Sequence, residues 1–219
     1  MQINKNLKFI IFCLIVFLSF DSHTDDGFSI SAVIETPQVE INGNADDPAI
    51  WFNEVDPSLS IVFGTDKYNG VYSYNLSGDI IGFSKSGSMN NIDLRTLNDN
   101  TYIFTTDSSN NTVNVWAYKN SYLHNKSKEG SFALDKIPHH TSKVNFLAYG
   151  LCGGLSKKDE VIIFVTEAKG PGVQLWKFDD VKLSLLNTFN NSNAYESEGC
   201  VFDDENQKFF ISEIGRAHV

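Results

Sequence analysis

Four stretches of this chain repeat one pattern: a first strand rich in acids, a second apolar strand ending in an acid, then usually an aromatic third strand. The first unit runs Asp46-Asp47-Pro48-Ala49-Ile50-Trp51, then Ile61-Val62-Phe63-Gly64-Thr65-Asp66, then Val71-Tyr72-Ser73-Tyr74. The second has Asn91-Ile92-Asp93-Leu94-Arg95, Tyr102-Ile103-Phe104-Thr105-Thr106-Asp107 and Val113-Asn114-Val115-Trp116-Ala117-Tyr118. The third has Tyr149-Gly150-Leu151-Cys152, a strand over 161–167 ending in Glu167, and Val173-Gln174-Leu175-Trp176-Lys177-Phe178. The fourth begins Glu198-Gly199-Cys200-Val201-Phe202 and reaches Phe209-Phe210-Ile211-Ser212-Glu213. Second strands are expected to start at 61, 103, 163 and 209, spacings of 42, 60 and 46 residues. A period of this size with several short strands per unit is the signature of a β-propeller blade. The chain is therefore read as all-β, an incomplete propeller of about three and a half blades. Asp66, Asp107, Glu167 and Glu213 share one slot in the repeat and are expected to converge on a common acidic site.

Charge narrows the function classes. The 219 residues carry a net charge of −10. Only Lys5 and Lys8 are charged in the first 20 residues, so the remainder stands at −12. A chain this acidic lacks the basic surface that tracks a nucleic-acid backbone. It fits a soluble acidic protein, or one whose carboxylates are partly neutralised by bound cations.

Lys5 and Lys8 followed by the apolar run from Phe9 to Phe20 read as a secretory signal peptide over residues 1–22. That run is shorter than the roughly 20 residues a bilayer span needs. The expectation is a secreted or periplasmic protein with no membrane partner after cleavage, acting as a monomer. Residues 23–213 form the propeller region. The closing run from Glu213 to Val219 breaks the strand pattern. It is also what one reading frame of a common short-read sequencing adapter encodes, so residues 214–219 are read as artefact. Past the signal, Cys152 and Cys200 remain, at what look like matching positions on neighbouring first strands. A disulfide in an exported protein and two buried apolar thiols both fit.

Asp46-Asp47-Pro48-Ala49-Ile50-Trp51, Asn90-Asn91-Ile92-Asp93-Leu94-Arg95, Tyr149-Gly150-Leu151-Cys152 and Glu198-Gly199-Cys200-Val201-Phe202-Asp203-Asp204-Glu205 together resemble, in order, the β-propeller phytases. The spacing of Gly64-Thr65-Asp66-Lys67 and of Phe210-Ile211-Ser212-Glu213 matches as well. The likeness runs from about Asn44 to Glu213. It implies a six-bladed propeller that hydrolyses phytate, myo-inositol hexakisphosphate, with calcium, and of which this chain is the N-terminal part. In the family a further acid follows the position of Glu213, where this chain has Ile214, and later blades supply more calcium-binding acids.

Calcium takes six to eight oxygen ligands, mostly carboxylates, carbonyls and water. The resemblance points to Asp46, Asp47, Asp93, Glu198 and Glu213 as the metal-binding acids at blade-equivalent strand ends. Glu198, Glu213 and Asp47 are the catalytic candidates. It likewise assigns Lys67, Arg95 and Lys169 to holding phosphate, with Tyr149 as a hydroxyl donor. Arg grips phosphate through a planar fork, Lys as a point charge. Asp203 and Asp204 are expected to cap a turn. His139-His140 reads as loop surface, and Asn120 to Val144 as a variable loop.

The implied chemistry is attack of a metal-activated water on phosphorus, with the basic residues positioning the phosphate. Two rivals share the fold, because propellers host many functions. One is a non-catalytic scaffold holding structural calcium; the other is a lactonase-type propeller with one central metal. Neither needs phosphate-binding cations at the rim that carries the acids.

Overall fold

The computed structural model describes residues 30–39, 42–191 and 196–213, with the Glu213 side chain outside that set. The expected signal peptide and residues 214–219 therefore lie outside the described residues. The chain divides into a unit ending at Val33 and a body from Ile34 onward. The body alone carries the repeat. Among the described residues no helix is long and apolar enough to cross a membrane.

Fourteen described strands form four antiparallel sheets. Blade 1 is β1 (Ala45–Trp51), β2 (Ile61–Asp66), β3 (Gly70–Tyr74) and β4 (Ile80–Ser84). Blade 2 is β5 (Met89–Leu97), β6 (Asn100–Asp107), β7 (Thr112–Lys119) and β8 (His140–Lys143). Blade 3 is β9 (Ala148–Leu155), β10 (Val161–Glu167), β11 (Gly172–Phe178) and β12 (Leu183–Asn190). The fourth sheet is the hairpin β13 (Ser197–Asp203) and β14 (Lys208–Glu213). Strands pair in chain order within each blade. The first strands β1, β5, β9 and β13 pack side by side, which makes them the inner strands of an incomplete propeller.

The second strands read as near-continuous apolar runs because neighbouring blades cover both their faces. β10 buries Val161 through Thr166 without a break. A core lies between each pair of blades. Ile61, Phe63, Ile103 and Trp116 fill the first, Tyr102, Phe104, Ile163 and Val165 the second, Phe164, Cys152 and Phe202 the third.

Each of the first three blades has one strand more than the sequence pattern suggests. The outermost strands were not legible because they are short or exposed; β12, for instance, is open to solvent along most of its length. The expected variable loop over Asn120 to Val144 is in fact structured. It holds helix α1 (Asn120–Lys128), whose Leu123 is buried against blade 1, and then the outer strand β8. His139 and His140 are partnered rather than free. His139 Nδ1 accepts the Ala117 N–H at 3.0 Å, its Nε2 meets Asp135 at 2.8 Å, and the His140 ring lies 4.7 Å from that of Phe178.

Asp66, Asp107 and Glu167 do not converge, and the Glu213 side chain lies outside the described residues. Asp66 accepts the N–H groups of Asn44 and Tyr68 and the Asn69 side chain; Asp107 does the same for Ser109 and Asn110. Each closes its own turn, in the way short polar side chains mimic backbone turns. Burial disfavours the Asp66 charge, but the donors around it hold its carboxyl below the usual value. The residue before each of the first three acids fastens one blade to the next. Buried Thr65 donates to the Asn90 carbonyl (2.7 Å), Thr106 to Tyr149 (2.5 Å) and Thr166 to Ser197.

Cys152 and Cys200 form a disulfide between β9 and β13. They are not at matching positions. Cys200 pairs with Ile211 as Leu151 pairs with Val165, so the counterpart of Cys200 is Leu151. Side chains alternate along a strand, so true counterparts point the same way round the ring and never meet. A one-residue offset turns Cys152 forward and Cys200 back.

Candidate functional site

Every inner strand opens with the same irregularity. Pairing with the second strand is interrupted between Ala45 and Pro48, Met89 and Ile92, Ala148 and Leu151, and Ser197 and Cys200. A bulge of this kind bends the strand and re-aims its side chains, and such bulges gather near active sites. The bulged residues are Asp46 and Asp47, Asn90 and Asn91, Tyr149 and Gly150, Glu198 and Gly199. Four of the expected site residues therefore owe their aim to one repeated kink.

Lys67 gathers three of these strands. It follows the turn-closing Asp66, and its N–H is fixed by the Asn44 carbonyl at 2.9 Å. Its ammonium lies 3.1 Å from Asp46 Oδ1, 3.6 Å from Glu198 Oε1 and 5.4 Å from the centre of the Tyr149 ring. Burial alone would lower the Lys67 pKa, but Asp46 outweighs it and the value is raised. Burial and the Glu198 charge lift the Tyr149 hydroxyl. Glu198 Oε1 is buried yet accepts no hydrogen bond, although its side chain is only 16% exposed. Its desolvation cost is offset by the Lys67 ammonium 3.6 Å away, beyond hydrogen-bond reach but close enough for ion pairing.

Asp47 faces blade 2. Its Oδ2 accepts the Ile92 N–H at 2.9 Å and its own N–H donates to Thr65. Burial, with Asp46 and Asp93 adding repulsion, raises its carboxyl from 3.8 to about 6. Asp93 lies further along β5 than the bulge, so it is not the blade equivalent of Asp46 or Glu198. It accepts the N–H groups of Leu94 (2.7 Å) and Gly153 (2.8 Å) and two bonds from Arg95. Burial nonetheless lifts its carboxyl above the ordinary value.

Arg95 donates through Nε to Asp204 at 3.0 Å and through Nη1 to Asp93 and the Leu94 carbonyl. Asp204 also takes the Leu155 N–H at 2.7 Å, so it bolts blade 4 to blades 2 and 3, whereas Asp203 closes its own turn. Asp47, Asp93 and Arg95 line one cavity of about 250 Å³ with Asn91, Leu151 and Cys200. Lys169 is exposed in the β10–β11 turn with φ 57°, on the same face as Lys67, and no contact joins it to the cluster. Glu213 pairs through its backbone with Ser197, beside Glu198, and its side chain lies outside the described residues.

The arrangement brings Asp46, Glu198, Tyr149 and Lys67 together, with Asp47 next to them. Among the described residues no three His, Cys, Asp or Glu side chains converge into a ready-made metal site. The carboxylates of Asp46, Asp47 and Glu198 are oxygen donors of the kind a hard cation takes, with Lys67 standing between Asp46 and Glu198. Sequence reasoning missed Asp204, whose only visible signal was its place beside the turn acid Asp203.

The sequence profile of the phytase family matches residues 9–218. A 3-phytase of Bacillus subtilis (strain 168) is 27% identical over 204 residues, covering 87% of this chain and 51% of that protein. The chain thus spans about half the length of the curated relative it matches. Solved structures give weaker likenesses. BBS1N in complex with ARL6DN, soaked with lead, has a TM-score of 0.33 and 7% identity, covering 75% of this chain and 60% of its own. A Bacteroides fragilis NCTC 9343 protein described as exported has a TM-score of 0.28 and 13% identity, over 61% and 49%.

Proposed function

Because this chain belongs to the phytase family, we propose that it is part of a secreted or periplasmic, calcium-dependent phytase that releases phosphate from myo-inositol hexakisphosphate. The observation that carries the reading is Lys67, an ammonium held 3.1 Å from Asp46 and 3.6 Å from Glu198 at the bulged rim. A rim that only stores structural cations has no use for a lysine there; one that receives phosphate does.

Asp46, Asp47 and Glu198 would hold calcium, with Glu213 and acids from the rest of the protein. Once bound, the ion supplies charge neutralisation and lowers the pKa of water. This chain's residues do the positioning. Lys67, relieved of its carboxylates, offers a point charge to one phosphate, and Tyr149 presents its hydroxyl beside it. Lys169 extends the same face outward. Arg95 shares the Asp47 cavity and takes up phosphate by exchanging Asp204 for it. Asn90 and Asn91, neutral at bulge slots between acids, keep repulsion down where a polyanion must approach. The active unit is the whole protein, and this stretch by itself is inactive.

The test is phosphate release from phytate by the full-length protein, with calcium and with chelator. Release that chelator abolishes and calcium restores supports the reading. Chelator-insensitive release, or calcium binding with no release, refutes it, the second outcome in favour of a scaffold.

A further inference from the structure

Glu198 and Gly199 form a bulge outside the ladder of their own hairpin, since β13 pairs with β14 at Ser197 and then only from Cys200, and β14 reaches the bulge through the Ser212 hydroxyl, which donates to the Gly199 carbonyl at 3.1 Å. Blade 3 holds the bulge as well. On one side the Thr166 hydroxyl donates to the Ser197 carbonyl. Beneath it, Gly150 makes room: a Cβ there would stand 2.2 Å from the Glu198 carbonyl oxygen. On the other side Cys200 is bonded to Cys152, with their Cα atoms 5.7 Å apart. Ile211, opposite Cys200, packs into the same core as Cys152, and further ties of β13 and β14 lie at the far end of the hairpin. They are Asp204 with Arg95 and Leu155, Gln207 with the Leu155 carbonyl, and Phe202 and Phe209 stacked on Phe164.

We propose that the Cys152–Cys200 disulfide is a positioning element of the candidate site, holding the Glu198 bulge against Lys67 and Tyr149 so that the site is redox-sensitive. Its consequence for cation binding rests on the function proposed above; the Glu198–Lys67 contact does not. The same disulfide carries Asp93 indirectly, because the N–H that Asp93 accepts belongs to Gly153, next to Cys152. In the reducing step a dithiol gives up two electrons and two protons. The S–S bond becomes two thiols and the reductant leaves as its own disulfide. Blade 4 stays attached through its far end, while Glu198 loses the tie two residues away.

The experiment compares the full chain before and after dithiothreitol, with two free thiols counted by mass. Glu198 is probed by carbodiimide labelling and Lys67 by acylation, with Lys119, an exposed lysine on blade 2, as reference. Reduction is expected to raise labelling of Glu198 and Lys67 severalfold, to leave Lys119 unchanged, and to leave hydrogen exchange in β5–β7 protected. Calcium affinity, measured by chelator competition, should fall about tenfold, the lower end of what losing a ligand-orienting partner costs. The C152S/C200S double variant should behave like the reduced protein without reductant. Unchanged Glu198 and Lys67 labelling with two thiols present overturns the proposal. So does loss of exchange protection throughout β5–β7, which makes the disulfide a general staple. If the oxidised protein binds no calcium, the proposed function fails while the labelling contrast still decides the disulfide.

Discussion

Asp47 carries a carboxyl raised to about 6 by burial and by Asp46 and Asp93. Between pH 3.8 and about 6 the folded chain keeps a proton that the unfolded chain has released, so this group makes stability fall as pH rises through that window. Asp93, also raised, slopes the same way. Asp47→Asn keeps an acceptor for the Ile92 N–H and removes the charge. In chelator, melting curves of the variant should be flatter from pH 4 to 6 and higher at pH 7 than those of the parent; identical slopes would show that Asp47 is not the cause. On the proposed function, Lys67→Ala in the full-length protein should raise KM for phytate roughly ten- to a hundredfold, since a charge-assisted contact contributes about 1.5–3 kcal/mol. Steady-state kinetics at saturating calcium check it. At this scale the family resemblance pointed to Asp46, Asp47, Lys67, Tyr149 and Glu198, whereas the slot that the repeat singled out holds Asp66 and Asp107, which close their own turns. The pairing of Arg95 with Asp204 was not legible, since 109 residues separate the two and only the packed blades bring them together.

The inner strands show why elements were read well and their detail less so. Second strands expected at 61, 103, 163 and 209 begin at Ile61, Asn100, Val161 and Lys208, because burial on both faces leaves an unbroken apolar run. Outer strands answer to one neighbour only and carry no such run, so β8, with His140-Thr141-Ser142-Lys143, passes for loop. The bulge leaves no mark in composition. Nor does the Thr-Asp pairing, in which one residue clamps the next blade and the other closes the turn. Thr106→Val keeps the shape but removes the 2.5 Å donor to the Tyr149 carbonyl, leaving it the Asn90 side chain at 3.4 Å, and takes the acceptor from the buried Asn91 N–H. It should cost about 1–3 kcal/mol in urea unfolding, the range for an unsatisfied buried polar group. A change under a few tenths would mean water replaces the hydroxyl. Gly150→Ala places a methyl against the Glu198 carbonyl. It should destabilise by about 1–3 kcal/mol, as overpacking does.

For the molecule as a whole, acidity and cation binding are one matter. A chain at −10 with repelling carboxylates at its rim gains stability from any ion bound only by the folded form. At a free concentration one hundred times the dissociation constant the gain is about 2.7 kcal/mol. Calcium should therefore raise the melting temperature and chelator reverse it; a calcium-independent transition would leave the rim acids without a metal role. The described fold also shows two apolar faces, Ile50 on blade 1 (58% exposed) and Val201 with Phe210 on blade 4 (55% and 53%).

One kinked slot, filled in turn by Asp46, Asn90, Tyr149 and Glu198, opens each inner strand. A lineage that grows by copying blades inherits a ready-pointed side chain with every copy. Exchanging a letter there alters reactivity at the hub while the surrounding scaffold is left alone, so new chemistries can be tried without rebuilding the wheel that presents them.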